Sequence, residues 1–112
     1  MIEDCSPTDQ TARWSFACAL SALDEYPIVS LSLADRHVIL LRDGERIVAT
    51  DRACPHEGAD LAKGRCADGK LYCARHFAWF DLFTGKVSPG WSFPGLRLYP
   101  LKIVDQDIWI AI

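Results

Sequence analysis

The chain has 112 residues, of which half are apolar and 24% are charged, a composition typical of one globular domain. Its formal net charge of −3, without a run of Lys or Arg, argues against nucleic acid as a partner and favours docking on basic patches of other proteins. The sequence shows neither a basic start followed by an apolar stretch nor a run of about 18 apolar residues. We therefore expect no secretory signal, no membrane association and a cytoplasmic location.

The first half of the chain predicts a polar leader followed by short strands. Residues 1–13 are expected to form a flexible leader, and residues 14–112 a single domain. Alternation of apolar with small or polar residues predicts four strands, at 13–20, 28–33, 37–41 and 46–50. The last two form the clearest hairpin, because Asp43-Gly44 between them favours the positive φ angles of a tight turn. A single helical turn is expected within residues 20–25.

The second half predicts a loop-rich segment and a second hairpin. Four glycines punctuate residues 51–86, which are expected to form a small loop-rich lobe inserted into the β framework, with one helical turn at 59–63. Residues 96–104 and 108–112 predict the hairpin, in which Pro100 indicates an edge position or a bulge. Short strands with frequent turn signals predict an all-β fold, an antiparallel sandwich or barrel.

Two pairs of potential metal ligands lie in this lobe. Cys54-Pro55-His56 is followed, after 16 intervening residues, by Cys73-Ala74-Arg75-His76. Each pair joins a soft thiolate to a neutral imidazole, and a [2Fe–2S] cluster with mixed ligation takes two thiolates on one iron and two imidazoles on the other. Cys54, His56, Cys73 and His76 therefore predict one [2Fe–2S] cluster held between two loops, and hence an electron carrier.

Glycines beside the ligands are expected to shape the two loops. Gly58 and Gly85 predict tight backbone turns that bring N–H groups towards the cluster sulfurs. The odd count of five cysteines argues against a disulfide framework, and Cys5, Cys18 and Cys66 are expected to be structural or incidental.

Other classes of function fit the residues less well. A structural zinc module could use the same four ligands and stays an alternative, although a one-residue gap between Cys and His is unusual for zinc. His37, the remaining histidine, is expected to be structural, so the chain lacks the two further histidines of an oxygen-activating iron site. It also lacks a Gly-x-Gly-x-x-Gly fingerprint for flavin or nicotinamide. We therefore expect no active site in this chain.

The ligand motifs resemble those of the Rieske iron–sulfur family. The likeness rests on residues 54–59 (CPHEGA), 73–76 (CARH) and 80–85 (FDLFTG), and it extends over residues 13–112. It is similar above all to the small Rieske-type ferredoxins of bacterial ring-hydroxylating dioxygenase systems. The resemblance implies the Rieske fold. It also implies that Cys54 and Cys73 hold a buried iron, and that His56 and His76 hold an outer iron through Nδ1.

The resemblance also indicates the low-potential branch of that family. In the high-potential respiratory branch each loop carries an extra Cys and the two form a disulfide, whereas Ala59 and Arg75 occupy those positions here. The same branch places Ser and Tyr hydroxyls against the cluster sulfurs, where this chain has Ala78 and Phe80. Fewer hydrogen bonds to sulfur stabilise the reduced state less, so the implied potential is about −150 mV, at the low end of the Rieske range.

The implied role is a one-electron shuttle between two enzymes of aromatic compound catabolism. A flavin-containing ferredoxin reductase would supply the electrons and a terminal oxygenase would receive them, with the histidine-bearing end of a monomeric carrier as the contact surface. The small subunit of an assimilatory nitrite reductase also resembles such a domain and stays an alternative. Trp79, Trp91 and Phe93 are expected to cover the lobe and not to anchor partners, while Arg75 fits either role. A carrier touches no substrate, so the sequence does not record which compound the oxygenase hydroxylates.

Overall fold

Three antiparallel sheets make up the computed structural model over the residues it describes, which are 14–44, 46–55, 58–73, 78–91 and 95–112. The elements, in chain order, are β1 (Trp14–Ala19), α1 (Ala22–Glu25), β2 (Ile28–Leu33), β3 (Arg36–Asp43), β4 (Arg46–Asp51), a 3-10 turn (Leu61–Lys63), β5 (Arg65–Ala67), β6 (Lys70–Tyr72), β7 (Trp79–Asp81), β8 (Leu98–Tyr99), β9 (Leu101–Val104) and β10 (Asp107–Ala111). The terminal sheet has the order β1-β10-β9, the central sheet β2-β3-β4-β8 and the lobe sheet β5-β6-β7. The all-β prediction is confirmed.

The central sheet is buried on both faces, which explains the composition of its middle strand. Val38, Ile39, Leu40 and Leu41 follow one another in β3, and all four are fully buried. Because successive side chains of a strand point to opposite faces, an unbroken apolar run requires a core on each side. The central sheet therefore separates two cores.

One core lies towards the lobe and the other towards the terminal sheet. The lobe core comprises Ile39, Leu41, Val48, Cys54, Ala59, Leu61, Leu71, Cys73, Phe80, Leu82 and Leu96. The terminal core comprises Leu23, Val38, Leu40, Ala49, Tyr99, Ile108 and Ile110. Both predicted cluster-ligand cysteines thus belong to the core that joins the lobe to the central sheet.

The first predicted hairpin and its tight turn are present, and both strands are longer than predicted. Asp43 pairs with Arg46, so the loop has two residues and the positive φ of 65° falls on Gly44. The carboxylate of Asp43 accepts a hydrogen bond from the N–H of Gly69 in the lobe. The Arg46 guanidinium donates to the carbonyl oxygen of Leu82 at 2.9 Å. The charged residues that flank this turn therefore tie the lobe to the central sheet.

The C-terminal hairpin differs from the prediction at Pro100. Residues 98–99 form β8 on the central sheet, whereas β9 begins at Leu101 and pairs with β10 in the terminal sheet. Pro100 therefore lies where the chain passes from the central sheet to the terminal sheet. The prediction of one continuous strand over 96–104 was wrong. Both flanking strands are edge strands, as the proline predicted. The following turn places Asp105 and Gln106 at positive φ.

The lobe contains more regular structure than a set of loops. It has its own sheet of three strands, β5 to β7, where the sequence predicted a loop-rich segment. The expected single turns are found at Ala22–Glu25 and Leu61–Lys63. The predicted leader, residues 1–13, lies outside the described residues and stays a prediction. No helix among the described residues is long and apolar enough to cross a membrane.

A pair of glycine substitutions tests how tightly the lobe is closed. Gly85 has a φ of 82°, and a Cβ on it would lie 2.3 Å from the carbonyl oxygen of Leu96. Gly90 has a φ of 94° but open space where its Cβ would lie. Gly90→Ala carries only the cost of the left-handed backbone, about 1–2 kcal/mol. Gly85→Ala should cost about 1–3 kcal/mol more, because the clash is added. Urea unfolding measures both, and equal losses would contradict the close approach.

Candidate functional site

Two loops of the lobe have the same length and the same closure. Finger 1 (residues 54–59) lies between Ala53 and Asp60, which form an isolated antiparallel bridge. Finger 2 (residues 73–78) lies between Tyr72 and Trp79, which pair in the lobe sheet. The first residue of each finger is a cysteine.

One backbone hydrogen bond closes each finger in the same way. The N–H of Cys54 donates to the carbonyl of Ala59 at 2.8 Å, and the N–H of Cys73 donates to the carbonyl of Ala78 at 2.9 Å. Both bonds link a cysteine to the residue five positions later. The two predicted ligand pairs therefore occupy matched six-residue loops.

The two cysteines are buried at the bases of these fingers. Cys54 is 2% exposed and Cys73 is 4% exposed, and both belong to the lobe core. Thiolates shielded from water in a shared apolar environment suit an iron–sulfur cluster, since soft sulfur donors are its usual ligands. The described half of the predicted ligand set therefore fits such a group.

The other half of the predicted site lies outside the described residues. His56, His76, Arg75 and Phe93 belong to that part of the chain. Across the described residues, no group of three or more His, Cys, Asp or Glu side chains is placed to hold a metal ion. No rival metal site therefore exists among those residues.

The remaining described cysteines differ from the finger cysteines. Cys66 is half-buried, and its Sγ lies 3.9 Å from the carbonyl oxygen of Arg42. Burial, together with the charge of Asp43, raises the pKa of the Cys66 thiol to about 11. Burial also raises the pKa of Cys18. Because the thiolate is the metal-binding form, both thiols are poor ligands at neutral pH.

An ion pair that the sequence reasoning missed holds the base of finger 1. Arg52 binds Asp60 through two bonds of 2.9 Å, Nε to Oδ1 and Nη2 to Oδ2. The Asp60 carboxylate also accepts from the N–H of Ala62 at 3.0 Å and so caps the 3-10 turn. The hydrogen bond from Arg52 lowers the pKa of the Asp60 carboxyl to about 2. The sequence did contain a signal for this ion pair, because residues of opposite charge, Arg52 and Asp60, lie on either side of the first ligand pair.

The backbone of Arg52 joins finger 1 to the central sheet. Its N–H donates to the carbonyl of His37 at 3.0 Å, and its carbonyl accepts from the N–H of Leu61 at 2.8 Å. The side chain of His37 lies at the surface, where Nδ1 is 3.1 Å from the Oγ of Ser32. The histidine thus contributes through its backbone to the position of the finger.

Gly58 in finger 1 and Gly85 after β7 lie in the tight turns that the sequence predicts. Gly58 has a φ of 75°, and its N–H donates to the carbonyl of Cys54 at 2.8 Å. The N–H of Gly85 donates to the carbonyl of Asp81 at 2.7 Å. These two amides donate to backbone carbonyls, and the expectation that the turns bring other N–H groups towards the cluster sulfurs stays a prediction.

The strand after finger 2 offers no side-chain hydroxyl at the positions compared with the respiratory branch. Ala78 and Phe80 are both fully buried. The nearby hydroxyl of Ser88 accepts from the N–H of Trp79 at 3.2 Å, and the N–H of Ser88 donates to the carbonyl of Trp79 at 2.8 Å. Ser88 therefore fastens the segment that leads to Trp91, which is itself partly exposed.

Comparison with known proteins identifies the family. Residues 13–100 match the model of the Rieske [2Fe-2S] domain. The ferredoxin component of the naphthalene 1,2-dioxygenase system of Pseudomonas putida is 28% identical over 102 residues, which cover 91% of this chain and 98% of that protein. The chain therefore belongs to the Rieske [2Fe–2S] family.

Solved structures agree with this fold. A ferredoxin complexed with the reduced oxygenase of carbazole 1,9a-dioxygenase matches with a TM-score of 0.78 and 21% identity, over 88% of this chain and 92% of that one. A protein from Mycobacterium tuberculosis, named as an NADH-dependent nitrite reductase small subunit, matches with a TM-score of 0.77 and 22% identity, over 90% and 96% of the two chains. These likenesses show the Rieske fold.

Family membership fixes the cofactor and the kind of activity. The domain carries one [2Fe–2S] cluster, so the zinc alternative is set aside. The chain is an electron carrier and not an enzyme, as its likeness to a ferredoxin component over nearly the whole of both proteins shows.

The Arg52–Asp60 pair predicts a characteristic dependence of stability on pH. The pKa of Asp60 is about 2 in the folded protein, against about 3.9 for an unfolded Asp. A lowered pKa gives stability that is fully present above about pH 4 and is lost as the pH falls towards 2. Asp60→Asn should therefore lower the Tm by the same few degrees at pH 7 and pH 5, and by less below pH 4.

Thermal unfolding followed by circular dichroism measures this difference. Asp24→Asn is the matched control, because Asp24 is largely exposed and lies 3.5 Å from Arg42, and it should change the Tm little. If the loss of Tm in Asp60→Asn already became smaller between pH 7 and pH 5, the lowered pKa assigned to Asp60 would be contradicted.

Proposed function

We propose that this carrier passes single electrons from a flavin-containing ferredoxin reductase to a terminal ring-hydroxylating oxygenase, as a cytoplasmic monomer. The observation that carries the proposal is the match with a dioxygenase ferredoxin component over 98% of that protein's length. The likeness to a nitrite reductase small subunit, at 22% identity, supports the shared fold alone.

The proposed ligands are Cys54 and Cys73 on the inner iron and His56 and His76 on the outer iron. Burial of both cysteines in the lobe core supports the inner position. The two fingers have equal length and the same closing hydrogen bond, which supports a cluster bound by one thiolate and one imidazole from each finger. When bound, the cluster supplies one-electron redox chemistry. The chain excludes water from the thiolates and fixes the finger bases.

We also propose that residues 14–112 act as one domain, with 1–13 as a leader and 51–86 as the cluster-binding lobe. The support is the central sheet, which contributes to both cores. Strand β3 places Ile39 in the lobe core and Leu40, the next residue, in the terminal core. Such shared strands make independent unfolding of the lobe unfavourable.

Ligand substitutions test the function directly. Cys54→Ala, His56→Ala, Cys73→Ala and His76→Ala should each abolish stoichiometric iron and inorganic sulfide, together with the spin-resonance signal after dithionite reduction. Turnover of an oxygenase reconstituted with its reductase should disappear in the same variants. Cys66→Ala is the matched control, since its thiol has a raised pKa, and it should keep the cluster and full turnover.

Two results would overturn these assignments. Oxygenase turnover that persists without the visible chromophore would exclude the shuttle role. Loss of the cluster in Cys66→Ala, with retention in Cys54→Ala, would exclude the proposed ligand set.

The missing hydroxyl donors predict a low reduction potential. Ala78 and Phe80 bury apolar groups where the respiratory branch carries Ser and Tyr. A cluster with fewer hydrogen bonds to its sulfurs is harder to reduce, so we expect a midpoint of about −150 mV. Protein-film voltammetry measures it, and a value of hundreds of millivolts above zero would contradict this reasoning.

A further inference from the structure

The lobe sheet carries basic and aromatic side chains on the face turned away from the core. Arg65, Tyr72 and Trp79 are neighbours across β5, β6 and β7, and Lys70 lies two residues before Tyr72 on the same face. Leu71 and Phe80, which alternate with them, are fully buried on the other face. We call Arg65, Lys70, Tyr72 and Trp79 the basic–aromatic face.

Each cation of this face is held over a ring. The guanidinium carbon of Arg65 lies 4.7 Å from the centre of the Tyr72 ring, and the Lys70 Nζ lies 4.5 Å from the centre of the Trp79 ring. Contact with the rings restricts these long side chains before any partner arrives. A partner therefore meets charges that are already in place, which lowers the entropic cost of binding.

The two cations are available to an outside carboxylate. Among the described residues, neither Arg65 nor Lys70 forms an ion pair. Asp81 faces Lys70 across the sheet, but its Oδ1 accepts from the N–H groups of Phe83 at 2.7 Å and Thr84 at 3.1 Å. The Asp81 carboxylate therefore stabilises the turn after β7 and forms no ion pair with Lys70.

Charge is distributed unevenly between the lobe and the rest of the chain. Residues 51–86 contain six Lys or Arg against five Asp or Glu, whereas the rest contains six against ten. Residues 1–13 contribute a net −2 and residues 14–50 with 87–112 a further −2, so the acidic excess lies outside the lobe, which is slightly positive. The expectation that an acidic carrier docks on basic patches does not describe this face.

The basic–aromatic face lies at the base of finger 2. Tyr72 directly precedes Cys73, and Trp79 directly follows Ala78, which closes the finger. A partner that contacts the Tyr72 ring therefore contacts the residue next to Cys73, a proposed iron ligand. Aromatic and arginine side chains are also the residues that most often anchor protein interfaces.

We propose that the basic–aromatic face is a docking surface for an electron-transfer protein that presents carboxylates. The inference rests on the proposed carrier function and adds to it an approach to the cluster through the base of finger 2. Electrostatic complementarity of this kind acts chiefly on the rate of association, and salt weakens it.

The chain offers a closely matched control on another sheet. The Nζ of Lys102 lies 4.5 Å from the centre of the Trp14 ring, the same distance as in the pair of Lys70 and Trp79. Lys70→Glu and Lys102→Glu change the net charge equally and each disrupts one cation–ring contact. They differ in position, because Lys102 belongs to the terminal sheet.

The first measurement is the rate at which hexacyanoferrate(III) oxidises the dithionite-reduced protein. One electron leaves the protein and yields hexacyanoferrate(II), and no proton moves. In stopped-flow experiments at low ionic strength, Lys70→Glu should slow this reaction by about tenfold, with a weaker salt dependence, while Lys102→Glu stays close to wild type. Hexaamminecobalt(III), a cation, should show no such loss.

The second measurement does not depend on electron transfer. A water-soluble carbodiimide joins a lysine amine to a glutamate carboxyl as an amide, and the carbodiimide takes up the water as a urea. With an oligoglutamate peptide as the acidic probe, peptide mass spectrometry should find severalfold more product at Lys70 than at Lys102. High salt should remove the difference.

Equal rates for the two variants, or equal labelling of the two lysines, would overturn the docking surface. If Lys70→Glu failed to keep the cluster, the comparison would be repeated with Lys70→Gln and Lys102→Gln. These variants remove the positive charge and do not reverse it. Intact cluster and oxygenase turnover with no effect at Lys70 would refute this inference alone. Absence of the cluster from the wild-type protein would refute the proposed function instead.

Discussion

The site depends on one repeated backbone constraint, the hydrogen bond from the first residue of each finger to the sixth. With the N–H of Cys54 bound to Ala59 and that of Cys73 bound to Ala78, each cysteine has a fixed backbone at the base of its loop. The thiols are then held in the lobe core, away from water. Pre-set ligand positions matter because a metal centre is held no more rigidly than the loops that carry its ligands.

Polar contacts join the lobe that carries those loops to the central sheet. Asp43 and Arg46 reach from the first hairpin to Gly69 and Leu82, and Arg52 binds Asp60 across finger 1. Each contact involves a charged group, and hydrogen bonds to charged groups are generally stronger than those between neutral groups. Together with the lobe core, they hold the lobe against the central sheet.

The sequence predicted the β framework because its signals were local, whereas the ligand set stays a prediction. Strand β2 was expected at 28–33 and is found there, since its apolar residues alternate over six positions. The lobe sheet was missed because its strands have three residues each, too short to show a period, although Asp68-Gly69 repeats the turn signal of Asp43-Gly44. The roles of Asp43 and Arg52 depend on contacts between distant segments, which no local pattern encodes.

Net charge alone does not describe the surface of the lobe, for a related physical reason. A total of −3 describes the field far from the molecule, whereas a docking partner meets charges within about one Debye length, roughly 10 Å. At that range the lobe presents Arg65 and Lys70 over aromatic rings, and the acidic excess lies in the rest of the chain. A separation of charge along the molecule also orients it during approach, since an acidic surface attracts the lobe and repels the framework. The charge distribution therefore favours encounters in which the lobe approaches an acidic surface first.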